Sequence, residues 1–173
     1  MTPPTPDALI LRPPTAADQP ACLAAHSEFD DFPFLLQWSP ERPWALYLRL
    51  LDGLRTGSHI PEGLVRSDFL VAEVDGTLVG RVSIRYELTE ALALRGGHIG
   101  YGVRPAFRRR GYATSILEQS VGLAHSGGVD RILVVCDDDN GASAAVIERC
   151  GGVLESVVAP DDGMAAFRRY WIG

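Results

Sequence analysis

Val103-Arg104-Pro105-Ala106-Phe107-Arg108-Arg109-Arg110-Gly111-Tyr112-Ala113 joins two different periodicities. An apolar β-type run at 98–103 enters it, and a segment with helical apolar spacing, 111 to about 126, leaves it. The pattern is strand, basic glycine-containing turn, helix. Such a junction gathers backbone N–H groups at the positive end of a helix dipole, which makes a receptor for phosphate or pyrophosphate.

On the N-terminal side the chain reads as strands and helices in a mixed order. Residues 1–7 are rich in Pro and Thr and are expected to be loose. Residues 9–12 form a short strand, and Asp18 is placed to cap a helix running to about Phe29. Residues 29–39 are aromatic, acidic and broken by proline, as in a loop or lid. Ser39-Pro40-Glu41 reads as a helix start that continues to about Arg55. Two β-rich runs, 69–74 and 78–85, flank Asp75-Gly76, the strongest hairpin signal in the chain.

Residues 86–97 connect, with a short helical turn at 90–94. On the C-terminal side a strand at 131–137, a helix at 142–150 and strands at 153–159 and 165–172 follow. The sum is an α/β (α+β) domain covering 1–173. A mixed, mostly antiparallel sheet of about seven strands is flanked on both faces by about four helices.

Composition removes several functions. A net charge of -6 argues against non-specific nucleic-acid binding. All sixteen basic residues are Arg, so neither a Schiff-base lysine nor a P-loop lysine is available. No apolar run nears the ~20 residues that span a bilayer. The start, Met-Thr-Pro-Pro-Thr-Pro, has no basic or apolar signal segment, and a cytoplasmic location is expected. Cys22, Cys136 and Cys150 cannot all pair and lack zinc spacing, so reduced thiols are the default. Asp137-Asp138-Asp139-Asn140-Gly141 suggests calcium, but its Gly falls one place early for such a loop, and no metal is expected.

Among phosphate motifs, Walker A fails for want of Lys. The Rossmann fingerprint fails because Gly100-Tyr101-Gly102 runs on to Pro105 where the third Gly belongs. What stands is Arg108-x-x-Gly111-x-Ala113, between a strand and a helix. One helix and one strand later come Asn140, Ser143 and Gly151. In these two blocks, and in the order of its elements, the chain resembles the GNAT N-acetyltransferases. Gly96-Gly97-His98-Ile99-Gly100-Tyr101, Arg104-Pro105, Cys136-Asp137, Gly151-Gly152-Val153-Leu154-Glu155 and Arg169-Tyr170-Trp171-Ile172 look like a bacterial branch of that family whose substrates are mostly unassigned.

The resemblance implies the GNAT fold and transfer of acetyl from acetyl-CoA to a primary amine by direct attack. Arg108, Arg109, Arg110, Gly111, Tyr112, Ala113 and Thr114 would hold the pyrophosphate. Val103 would lie by the thioester, on a strand that bulges and splays from the next, with a backbone N–H near 101–103 facing the oxyanion. Asn140 would bond the CoA arm or act only as a turn former. Ser143 would cap the following helix or contact CoA.

His98 is the candidate base, or else a structural histidine bonded to backbone. It shares its strand face with Gly100 and Gly102, and only a bulge would bring it round to the face of Tyr101 and Val103. Tyr101 is a candidate acid, as are Cys150 and Tyr170, because Ile147 stands where the family usually has Tyr. Phe29, Asp30, Asp31, Phe32, Phe34, Trp38 and Trp44 fall where the family binds its acceptor, and equally suit a lid or dimer contact. The family is often dimeric, so a homodimer is admitted. A non-catalytic acyl-CoA-binding module is the alternative, and Ile147 is its main support.

Overall fold

Among the described residues seven strands form one mixed sheet: β1 (Ile10–Arg12), β2 (Ser67–Val74), β3 (Thr77–Arg85), β4 (Ile99–Val103), β5 (Ile132–Asp137), β6 (Val153–Val158) and β7 (Phe167–Ile172). Their spatial order is β1-β2-β3-β4-β5-β7-β6. Every neighbouring pair is antiparallel except β4 and β5. The computed structural model describes residues 8–30, 32–160 and 163–173. The expectations for residues 1–7, for Asp31 and for the middle of the 160–163 turn lie outside the described residues.

Five α-helices among the described residues cover the sheet: α1 (Gln19–His26), α2 (Trp44–Thr56), α3 (Glu90–Leu94), α4 (Tyr112–Ser126) and α5 (Gly141–Arg149). Alternation in β3 and β4 sends Val82, Ile84, Ile99 and Val103 to one face. There they form a core with Tyr112, Ile116 and Leu117 of α4 and Ile147 of α5. A second core on the opposite face joins Cys22 and Ala25 of α1, Trp44, Tyr47 and Leu51 of α2, and Phe69 and Val71 of β2. Among the described residues no helix is long and apolar enough to cross a membrane.

The β2–β3 hairpin turns at Asp75-Gly76, both with positive φ, 49° and 75°. This is the backbone that the Asp-Gly pair favours. Two helix starts differ from expectation. Asp18 does not cap α1 with its side chain. Its carboxylate receives Arg12 Nη1 and Nη2, each at 2.8 Å, and the Thr15 N–H at 2.6 Å. Helix α2 begins at Trp44, after Pro43, rather than at Ser39-Pro40-Glu41. Pro43 has no N–H to return to Ser39 and disfavours helical backbone at Arg42, so an earlier start would break within one turn. Residues 39–42 instead make a turn, with the Arg42 N–H bonded to the Ser39 carbonyl at 3.0 Å.

Candidate functional site

The site begins where β4 and β5 part. Their one paired position is Ile99↔Val134, so the strands diverge towards Val103. The root of the gap is clasped by His98. Its N–H donates to the Leu133 carbonyl at 2.8 Å, and its Nδ1 accepts the Leu133 N–H at 2.9 Å. On the other side, the β3 ladder takes bonds at alternate residues. The Arg85 N–H meets the His98 carbonyl, and the Arg104 N–H meets that of Val79. This alternation commits the peptide groups of Gly100 and Gly102 to β3 and turns those of Tyr101 and Val103 towards the gap. The Val103 carbonyl accepts Arg108 Nε at 3.1 Å.

The expected bulge in β4 is absent. β3 and β4 pair in unbroken register from Gly80↔Val103 to Ile84↔Ile99. The splay therefore arises from divergence of β5 alone, and strand parity is not reset. His98 stays on the face of Gly100 and Gly102, away from Tyr101 and Val103. With Nδ1 accepting a backbone N–H, its remaining proton sits on Nε2, and no lone pair is left to take a proton from an ammonium. These bonds and the strand face favour the structural reading of His98, as a clasp, over its reading as a base.

Burial, helped by the charge of Arg85, holds the His98 imidazolium below the ordinary histidine range. Above pH ~6.5 the ring is neutral in both folded and unfolded chains, and the clasp contributes in full. Below that, the unfolded chain takes up a proton that the folded one resists, so stability is lost as the pH falls. His98→Asn, whose Oδ1 can replace Nδ1 as acceptor, is expected to flatten the dependence of Tm on pH between ~5 and 6.5. It should leave any turnover within a few-fold of wild type. An unchanged Tm–pH slope would contradict the clasp.

A cleft of about 570 Å³ opens from the gap. Tyr101, Gly102 and Val103 line it on the β4 side. Arg108, Arg109, Gly111, Tyr112, Ala113 and Thr114 line it at the start of α4, and Asn140 and Ser143 at the start of α5. Among the described residues its lining includes Arg108, Arg109 and Arg149 but no carboxylate, in a chain of net charge -6. That concentrates an anion-attracting field in one place.

The turn into α4 is built for close approach. Arg104 is fixed by Glu28, at 2.5 and 2.9 Å, and by the Leu78 carbonyl. A 3-10 turn at Pro105–Phe107 follows. Arg109 and Gly111 then take left-handed backbone, with φ of 59° and 83°. Gly111 is the N-cap and brings no side chain over the amides of the first turn. The first N–H of α4 to bond back into its own helix is that of Ser115, to Gly111 at 3.2 Å. Arg110 points away. Its guanidinium bonds the Ala106 carbonyl and lies 5.6 Å from the Phe107 ring, so of the three arginines it alone lies outside the cleft.

Asn140 caps α5, its Oδ1 accepting the Ser143 N–H at 3.0 Å. Ser143 is therefore not the cap. Its hydroxyl lies 2.8 Å from the Tyr101 hydroxyl instead. Burial, partly offset by this bond, pushes the Tyr101 phenol up to about 12. Ile147 is fully buried in the core and does not line the cleft. Cys150 lies against the Thr114 carbonyl at 3.8 Å, and burial pushes its thiol up to about 11. Burial also raises Cys136.

Of the aromatic group before α2, Phe29 and Phe32 reach the cleft, edge to face at 5.0 Å. Phe34 and Trp44 are buried in the second core, with Trp38 packed against it. Sequence reasoning missed the α5 wall, Ala142, Ala145, Val146 and Arg149. Their i, i+3, i+4, i+7 spacing was the available signal.

The family model for the acetyltransferase (GNAT) domain matches residues 8–153. A Yersinia pestis protein described as an acetyltransferase is 32% identical over 81 residues, which is 47% of this chain and 54% of that protein. The chain thus spans about half the length of the curated relatives it matches. One similar solved structure is the Salmonella typhimurium acetyl transferase that modifies the N-terminal serine of a 50S ribosomal subunit protein. It has a TM-score of 0.69 and 18% identity, covering 95% of this chain and 94% of that one. The microcin self-immunity acetyltransferase MccE, solved with acetyl-CoA and AMP, has a TM-score of 0.65 and 17% identity, covering 96% and 92%. At these identities the likeness is one of fold.

Proposed function

Because the chain belongs to the GNAT acetyltransferase family, we propose that it moves an acetyl group from acetyl-CoA to a primary amine by direct attack. The observation that carries this reading is the meeting of two features. An anion-attracting cleft, lined by three arginines and by no carboxylate among the described residues, runs directly into the gap between β4 and β5. A nucleotide thioester needs both: charge for its pyrophosphate and a slot with unused backbone groups for its arm. Residues 1–173 are read as a single acetyltransferase domain, since β7, beyond the matched residues, pairs with β5 along its whole length. The three cysteines are free, which suits a reducing cytoplasm.

In this reading the first turn of α4, with Arg108 and Arg109, holds the pyrophosphate, and Asn140 and Ser143 flank the arm. The acceptor first loses its ammonium proton to solvent water. Its lone pair then attacks the thioester carbonyl carbon. The Val103 N–H donates to the oxygen as it becomes negative. The C–S bond breaks, the thiolate leaves, and the new amide nitrogen sheds its second proton to water. A phenol near 12 is a weaker acid than a thiol of ~8.5, so Tyr101 serves by donating a hydrogen bond to the departing sulfur rather than by surrendering its proton outright. Tyr101→Phe is expected to lower kcat roughly 10- to 100-fold, with acetyl-CoA affinity changed little. Equal kcat in steady-state assays would remove Tyr101 from this role.

Direct attack is favoured over a cysteinyl intermediate. Neither Cys136 nor Cys150 lines the cleft, and both are held as thiols. Intact-protein mass spectrometry after mixing with acetyl-CoA alone should show no acetylated protein formed within one turnover. A stoichiometric burst would overturn direct attack. The alternative, a non-catalytic acyl-CoA-binding module, is favoured by one observation: Ile147 puts a buried aliphatic side chain where the family usually has Tyr.

A further inference from the structure

The middle of β3 alternates Arg81, Ser83 and Arg85 with Val82 and Ile84. The polar members turn away from α4, onto the face shared with His98, Gly100 and Gly102. Gly100 has no side chain there. A Cβ on it would lie 3.5 Å from Ser83 Oγ and 3.9 Å from both Arg81 Nη1 and Arg85 Nη1. Two guanidinium groups therefore converge on one bare stretch of β4, next to Tyr101.

Among the described residues neither has a counter-charge. The ion pairs among the described residues use Arg12, Arg55, Arg95, Arg104, Arg168 and Arg169, and none involves Arg81 or Arg85. Arg81 is only 4% exposed. Its Nη atoms reach the Gly100 and Pro33 carbonyls at 2.9 and 3.1 Å, while its Nε is buried with no partner. Arg85 donates to the Gly97 carbonyl at 3.0 Å. A buried cation with an unmet donor, beside a second, half-buried one, is costly unless an anion completes the pair.

The pair also adjoins the cleft. The Arg81 guanidinium lies 5.2 Å from the Phe32 ring, and Phe32 lines the cleft where it covers Gly102. Neither arginine lines the cleft itself, and Phe32 stands between it and Arg81, so an acceptor anion would reach the pair by way of Phe32.

We propose that Arg81 and Arg85 receive an anionic group of the acceptor, so that the amine acetylated here also bears a carboxylate or a phosphate. This deepens the acetyltransferase reading and rests on it. A polyamine or an uncharged amine would leave the two cations uncompensated. An anionic acceptor gains charge-assisted bonds at the Arg81 Nε and the Arg85 guanidinium.

Two measurements test this independently. In the first, matched amines are compared as substrates: γ-aminobutyrate with butylamine, phosphoethanolamine with ethanolamine, and spermidine as the cationic member. The anionic partner of at least one pair should have a kcat/KM roughly 10- to 100-fold higher, and Arg85→Gln should remove that preference while Arg85→Lys retains much of it. Whichever pair shows the preference distinguishes a carboxylate from a phosphate. Equal or better turnover of the neutral amines or of spermidine would overturn the proposal.

In the second, protein saturated with CoA is melted with added succinate or inorganic phosphate. A rise in Tm in wild type that is lost in Arg85→Gln supports the site. No rise, or the same rise in both, overturns it. If no amine is turned over, the acetyltransferase reading fails, while the melting experiment still decides the anion site.

Discussion

Gly111→Trp is expected to weaken acetyl-CoA binding at least about 100-fold while the fold survives. Gly111 has a φ of 83° and opens α4 with no side chain over its first amides. Forcing a side chain into left-handed backbone costs about 1–2 kcal/mol, which lowers Tm by several degrees but does not unfold a domain of this size. An indole at this position occupies the space where a pyrophosphate would meet the amides and the Arg108 and Arg109 side chains. Losing two charge-assisted bonds at about 1.5 kcal/mol each, or more, gives a loss of about 3 kcal/mol, which is about 100-fold. Calorimetric titration with acetyl-CoA checks it. An unchanged affinity would mean that the anion binds elsewhere.

Val103→Pro is expected to reduce kcat about 10²- to 10³-fold with little change in acetyl-CoA affinity. The substitution removes one atom of consequence, the amide hydrogen that the ladder alternation turns into the gap. Because Gly102 and Arg104 carry the bonds to β3, proline at 103 breaks no ladder bond, and Gly102 lies in extended backbone that tolerates a following proline. Val103 is 8% exposed, and proline keeps most of its apolar bulk. Val103→Ala keeps the N–H and should retain most of kcat, which separates the hydrogen bond from packing. Equal losses in the two variants would assign the effect to packing, and no loss in either would place the oxyanion away from this strand.

Local chemistry explains which features could be read from the chain. Asp75-Gly76 defines its own turn, and the change of period around Arg108 to Gly111 marks the strand–helix junction without help from the rest of the fold. The short helix at Glu90–Leu94 was legible for the same reason. Helix α2 was misplaced because Ser39-Pro40-Glu41 has the composition of a helix start, while the veto comes from Pro43 three residues on. Separation of β4 from β5 is tertiary, and only the family resemblance suggested it. The accompanying bulge did not materialise, and with it went the route that would have brought His98 to the thioester side.

Ser143 was read as a cap or a ligand contact because its partner, Tyr101, lies 42 residues away in sequence. The convergence of Arg81 and Arg85 was hidden by its own regularity. Alternating with Val82 and Ile84, the two arginines look like the wet face of an ordinary strand. Only the sheet order puts them beneath Gly100 in the middle of the molecule.

The most direct test of acetyl transfer is the release of CoA thiol from acetyl-CoA, followed continuously while a panel of amines is added one at a time. The expected result is amine-dependent release that saturates with at least one primary amine, with an equimolar N-acetylated product detected by mass spectrometry. Tight CoA binding with no amine-dependent thiol release across the panel would contradict it and leave a binding module on an acetyltransferase fold.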